Sequence, residues 1–552
     1  MIHHQISCSN PTSQFIQIRL SLEVWDQNPI SLQLPAWRAG RYQLANYAQN
    51  IRRLRVLDGL KKDVKFEKTT KDCWTIYPEN TGQIQVDYEY WAGRMDAGGA
   101  WADDEQIYAN LVNCCFEVLE RSGEEIGISL DLPDYPVQIS TLTAVSDSNW
   151  RAENFQILAD STALAAKSLT HCEYKTADVL FHIWIHGEVH FDKTLLLDRF
   201  SAFTEKLIVD FGAFPELEYH FIFQLLPYPH YHGVEHRRGT VITFGPAESL
   251  KESTQMEELL GVSCHELYHA WNVCRIRPKE LLQYDFSKES YTRTGLVLEG
   301  VTTYMGDLYL LKSGVYTLET YLKHFEKIVN REASSSGWKS NNILESSFDL
   351  WLDGYVPGIP DRKVNIYSRG ALLAFCLDIL LLEDGRSLAE VMRKMWDKFG
   401  RPFIGYGFQD FEELIFSSSH KQMHLRDFFQ EFVYGYGDLF AKLPSFFEEV
   451  GITMMERLSE DWLLHQMGIR TNADGTVLQL HPEASASFRL MKNDKILNWP
   501  LEKPDSDTPL KIQVDRYGRR LELVLSLKVG RYYPYYSLQF YQETEIFQKW
   551  KA

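Results

Sequence analysis

Residues 264–270 read Cys264-His265-Glu266-Leu267-Tyr268-His269-Ala270, a His-Glu-x-x-His pattern inside a long stretch of helical writing. Residues four apart share one face of a helix, so the imidazoles of His265 and His269 can converge on a single cation. Glu266 sits beside them, within reach of a water held by that cation. Neutral imidazoles suit a borderline divalent metal, and the arrangement is that of a zinc hydrolase with one coordination position left for water. A third ligand is available in Leu-Val-Leu-Glu-Gly-Val (296–301), where Glu299 stands on a separate apolar helix face beside Leu298. A lone carboxylate there is costly to bury, and a metal removes that cost. His265, His269 and Glu299 would complete the site; Asp307 or Glu289 could take the third place, although neither has so apolar a setting.

The texture of the chain changes twice around this motif. Up to about residue 168 the writing has period two, as in FIQIRLSLEVW (15–25), ISLQL (30–34) and QIQVDYEYW (83–91), which predicts short strands. LLLDRFSAFTEKLIVDFGAF (195–214) then spaces its apolar residues three and four apart, HFIFQLLPY (220–228) and TVITF (240–244) read as strands, and residues 247–450 are predominantly helical. Strands return in GTVLQLHP (475–482), DKILNWP (494–500), LKIQVD (510–515), LELVLSL (521–527) and YYSLQFYQ (535–542). The expectation is a multidomain α+β chain: an N-terminal antiparallel β domain over 1–170, a mainly helical catalytic domain over 171–455, and a β-rich module over 456–552.

Composition narrows the classes of function. The 552 residues are 45% hydrophobic and 24% charged, enough apolar surface to offset the entropy of ordering, so disorder is excluded as the main state. A net charge of −18 opposes phosphate backbones and anionic lipid, so neither nucleic acid nor a membrane is an expected partner. The greasiest run, Ala371 to Leu382, is broken by Asp378 and falls short of the roughly 20 residues that span a bilayer. The N-terminus lacks the pattern of a secretory signal, and the 8 cysteines include no C-x-x-C pair. A cytoplasmic location with reduced thiols is expected.

The sequence HELYHAWNVCRIRP (265–278), followed by LEGVTTYMGDL (298–308), resembles the signature of the M61 peptidases, the glycyl aminopeptidase family of zinc enzymes. PAWRAGRYQLANYAQNIRRL (35–54) is similar to that family's N-terminal β domain, GVEHRRGTVITF (233–244) to its strand before the metal helix, and NIYSRGALLAFCLD (365–378) to its later helices. The resemblance implies a thermolysin-like catalytic domain of the gluzincin kind and one Zn²⁺ per chain on His265, His269 and Glu299, with Glu266 as general base. It also implies a divergent PDZ domain at the C-terminus, where Met467-Gly468-Ile469-Arg470 would supply the peptide-binding loop. Tyr367 aligns with a family tyrosine, and its phenol suits a developing oxyanion.

Gly233, Val234, Glu235 and His236 begin an expected edge strand that could hold an extended peptide by main-chain hydrogen bonds. Glu235, if turned into the cleft, would pair with a free α-ammonium and make the enzyme count from the N-terminus. The expected activity is therefore removal of small N-terminal residues, Gly or Ala, from peptide substrates. The alternatives are a zinc endopeptidase with the same centre and a catalytically silent peptide-binding scaffold. Trp101, Asp103, Asp104 and Tyr108 are the expected β-domain contribution to the pocket walls. The oligomeric state is not legible.

Overall fold

Strict alternation makes Phe15–Val24 a strand whose even-numbered residues are all buried, and it pairs along its whole length with Gly82–Trp91. These two are the fifth and sixth strands of a seven-stranded sheet that runs, edge to edge, Thr143–Ser146, Asn149–Ala152, Ile126–Asp131, Ile2–Ser7, Phe15–Val24, Gly82–Trp91, Ile51–Asp58. The computed structural model describes residues 2–457, 461–498, 509–526 and 530–552. The expected antiparallel pairing fails at one place, since Ile2–Ser7 runs parallel to Ile126–Asp131. The chain between those strands makes its crossover through other elements, among them the whole four-stranded sheet and three strands of a five-stranded one, which a hairpin could not do.

A second large sheet starts at residue 170, with strand order Thr170–Thr176, Val179–His186, Glu218–Leu225, Gly239–Gly245, His230–His236. Its three inner strands are parallel, with the amphipathic helix Lys193–Phe211 in the first crossover, and an antiparallel partner closes each side. His230–His236 is thus an edge strand, as the sequence suggests. The helix Ser253–Tyr268 packs under it and against Thr302–Lys312. Ser368–Leu382 is buried on nearly every side, which explains why ALLAFCLDILL is apolar all round. No helix among the described residues is long and apolar enough to cross a membrane.

The closing segment divides. Trp462–Met467, the hairpin Ile469–Thr471 with Val477–Leu480, and the strands Lys495–Ile496, Leu510–Arg516 and Arg519–Leu525 surround a small core of their own that includes Ile469, Val477 and Ile512. Met467-Gly468-Ile469-Arg470 is not simply a loop: Gly468, at φ 65°, ends the helix and Ile469 already begins a strand. Trp499, Pro500 and Leu527 of the expected strands lie outside the described residues. Tyr535–Phe540 leaves this core to pair with Ile452–Arg457, and the helix Glu545–Lys551 buries Trp550 among the helices of the large core.

Candidate active site

His265 and His269 occupy the last turn of the helix that begins at Ser253, and their Nε2 atoms stand 3.1 Å apart. Glu299 Oε2 lies 3.7 Å from His265 Nε2 and 3.5 Å from His269 Nε2, so three donors from two helices share one point. Local sequence explains the convergence. Leu296–Val301 forms a π-turn, the wider winding that often marks functional positions, and it carries Glu299. Asn272 ties the two helices together: its carbonyl accepts from His269 Nδ1 at 2.8 Å, and its side-chain amide donates to the Val297 carbonyl and Thr302 Oγ1. The first bond holds the proton on Nδ1 and turns Nε2 of His269 toward Glu299 and His265, where a shared cation would sit. Gly306 allows the close crossing, because a Cβ there would lie 3.1 Å from His265 Cα.

Glu266 points up beneath the edge strand. Its Oε1 would lie 2.2 Å from a Cβ on Gly233, so only glycine leaves room for it. Period two then divides the strand. Gly233 and Glu235 face the cleft, while Val234 packs with Ile222 and Val241 on the other face and His236 Nδ1 turns to Asp160 at 3.4 Å. The side chains of Val234 and His236 are therefore not cleft residues; only their main chain runs along it. Glu235 is 8% exposed and has no hydrogen-bond or ion-pair partner among the described residues. It rests on Gly40, whose Cβ would fall 2.5 Å from both carboxylate oxygens, and Gly40 also requires φ +73°.

The cleft encloses about 500 Å³. Tyr367 lines it at the start of the helix Ser368–Leu382, held by Asn365 Oδ1, which accepts from the amides of Tyr367 and Ser368. Gly370 meets Gly300 so closely that a Cβ on either would lie within 2.6 Å of the other's Cα, which seats this helix on the Glu299 turn. Burial, reinforced by Glu299, pushes the Tyr367 phenol up, so it remains a proton donor. The β-domain wall is Arg38, Gly40 and Arg41, not the expected 101–108 segment. Trp101 instead bonds Asp103, and Tyr108 donates to the Ala97 carbonyl inside its own domain. Sequence reasoning also missed Tyr355 and Arg331, which line the cleft.

Electrostatics set the chemistry of this site. Burial pushes Glu266 up to about 8, with the Glu235 and Glu299 carboxylates adding to the effect. Burial alone would raise Glu299 as well, but the two imidazoles override it and hold it at about 2. Burial disfavours a charged His269, yet Glu299, Glu235 and Glu266 together raise it to about 10. Three buried acids facing two imidazoles are a strong demand for positive charge. Oε2 of Glu299 and Oε2 of Glu266 are buried without hydrogen-bond partners. These orphaned oxygens and the convergent nitrogen and oxygen donors fit a tetrahedral divalent cation of the zinc kind.

Two family models match the chain: the Peptidase M61 N-terminal domain over residues 3–167 and the M61 glycyl aminopeptidase over residues 258–373. The second includes His265, Glu266, His269, Glu299 and Tyr367. A solved aminopeptidase N family protein from Idiomarina loihiensis is 22% identical, with a TM-score of 0.89 over 100% of this chain and 99% of its own, a likeness of fold along the whole length. An M1 zinc metallopeptidase from Deinococcus radiodurans is 12% identical, with a TM-score of 0.49 over 78% of this chain and 92% of its own. Yeast LTA4 hydrolase is 13% identical, with a TM-score of 0.47 over 79% of this chain and 68% of its own. No curated protein sequence matches the chain. The chain thus carries the N-terminal and the peptidase domains of the M61 family, and it is a peptidase built on them.

Proposed function

We propose that the protein is a zinc-dependent aminopeptidase acting on short peptides, with His265, His269 and Glu299 as the metal ligands and Glu266 as the general base. The observation that carries this reading is the meeting of those three donors, within 3.7 Å of one another, beside an orphaned Glu266 carboxylate in one cleft. When bound, zinc supplies Lewis acidity, which polarises a carbonyl and makes water acidic near neutral pH. The protein's own residues do the rest. Main-chain groups of the free edge at 233–236 hold the peptide extended, as an added strand. Glu235 receives the α-ammonium, which supplies the partner it lacks and measures one residue to the scissile bond. Glu266 takes a proton from the attacking water and returns it to the leaving nitrogen. Tyr367 donates its phenol hydrogen bond to the carbonyl oxygen as charge develops there.

The match to the glycyl aminopeptidase family supports a preference for Gly or Ala at the cleaved end. The same reading divides the chain into the regions 1–170, 171–455 and 456–552, with a PDZ-like fold in the last. Replacing Glu266 with Gln keeps the shape and removes the base. Zinc content should stay unchanged by elemental analysis while kcat falls by roughly 10²–10⁴-fold. Retained turnover would remove Glu266 from the mechanism, and a wild-type chain inert toward unblocked peptides would favour a scaffold.

A further inference from the structure

The edge of the second large sheet farthest from the cleft carries another convergent donor set. His171 and Glu173 are two residues apart on the edge strand Thr170–Thr176, so they project from one face. In the strand register Glu173 lies directly opposite His182, on the same face. His171 Nε2 is 3.1 Å from His182 Nδ1, and Glu173 Oε2 is 3.7 Å from His182 Nδ1 and 4.0 Å from His171 Nε2. The active-site triad spans 3.1, 3.7 and 3.5 Å between the same kinds of atom. A tetrahedral zinc with bonds of about 2.1 Å separates its ligand atoms by roughly 3.4 Å, so both sets need shifts of only tenths of an ångström.

The surroundings hold the rings in place. His171 stacks on Trp184 at 3.7 Å and 11°, and His182 stacks on His220 at 4.9 Å and 14°. Trp184 Nε1 in turn donates to His220 Nδ1 at 3.2 Å, which locks this second layer. Glu173 and His171 remain open to solvent, which leaves a path for an ion and a water to complete the coordination.

We propose that His171, Glu173 and His182 form a second divalent-cation site, separate from the catalytic one, that takes zinc or a similar first-row ion and clamps the free edge strand to its neighbour. An unpaired edge strand invites association with other chains, and a metal bridging it to the next strand would stiffen that edge. These donors lie outside the catalytic cleft and share no residue with it.

The test is a Zn²⁺ titration of the untagged, metal-stripped full chain by calorimetry, with Co²⁺ absorption as a second probe. His171→Ala and Glu173→Gln alter exposed side chains, and His265→Ala serves as the control for the other site. The expected result is one zinc equivalent whose affinity falls at least tenfold in both His171→Ala and Glu173→Gln and is unchanged in His265→Ala. The zinc-induced rise in Tm that belongs to that equivalent should vanish in the same two variants. If no equivalent responds to either edge-strand variant, the proposal is overturned, whatever metal the active site holds.

Discussion

Glu235 shows how much one side chain can decide. A buried carboxylate without a partner is normally destabilising, and here the cleft is the direction from which a partner can come. A charged hydrogen bond is worth about 1.5–3 kcal/mol, or roughly 10- to 100-fold in affinity. Glu235→Gln should therefore raise KM for peptides with a free N-terminus by at least tenfold and change kcat less. N-acetylated peptides should be poor substrates of the wild type; if they are cleaved as fast as free ones, the enzyme is an endopeptidase and Glu235 does not measure from the end. The two histidines and their carboxylate were legible because a helix repeats every turn, and Glu299 because an acid among Leu298 and Val301 has no apolar excuse. The parity of the edge strand was legible too, yet reading 233–236 as one block hid that Val234 and His236 turn away. Arg38 and Gly40 were not, since nothing in a linear text places a distant β-domain loop against residue 235.

At the scale of elements, small residues set how closely the helices approach. Gly370 and Gly300 touch backbone to backbone, and this contact fixes the Tyr367 end of one helix on the Glu299 turn of the other. Two effects oppose each other in Gly370→Ala. Alanine favours a helix by about 1 kcal/mol over glycine, while forcing a methyl into a filled crossing costs about 1–3 kcal/mol. With the new Cβ only 2.6 Å from Gly300 Cα, overpacking should win. Net destabilisation of roughly 1–2 kcal/mol in urea unfolding is expected, together with a fall in kcat as Tyr367 shifts. A variant more stable than the wild type would mean that the crossing is looser than it looks. The helices were readable from their period, but the π-turn at 296–301 was not, because six residues are too few to separate that winding from an ordinary one.

Over the whole molecule, the chain closes on itself. The switch from period two to helical period and back was plain in the text. What the text did not reveal is that YYSLQFYQ, written like the strands before it, pairs with Ile452–Arg457, and that a final helix follows it into the large core. Strand writing states which face is apolar, not which sheet will cover it. Phe547 and Trp550 anchor the return in the large core. Trp550 is 1% exposed, its indole stands 5.3 Å from the Tyr321 ring, and its Nε1 donates to Tyr304 Oη at 2.8 Å. Tyr304 in turn donates to Asp378 at 2.6 Å, and it lies on the helix that continues from the Glu299 turn. Trp550→Ala should therefore cost about 3–5 kcal/mol and lower Tm, while Trp550→Phe should keep most of the packing and lose about 1 kcal/mol for the missing hydrogen bond. Tyr304 stands in the first turn of that helix, close to Glu299, but Phe at 550 keeps the ring packing on Tyr321 and Phe375 that holds the anchor in place, so zinc content and KM of the folded Trp550→Phe protein should stay at wild-type values. A Trp550→Ala chain that unfolds at the wild-type temperature would show that the last helix only rests on the surface of the core.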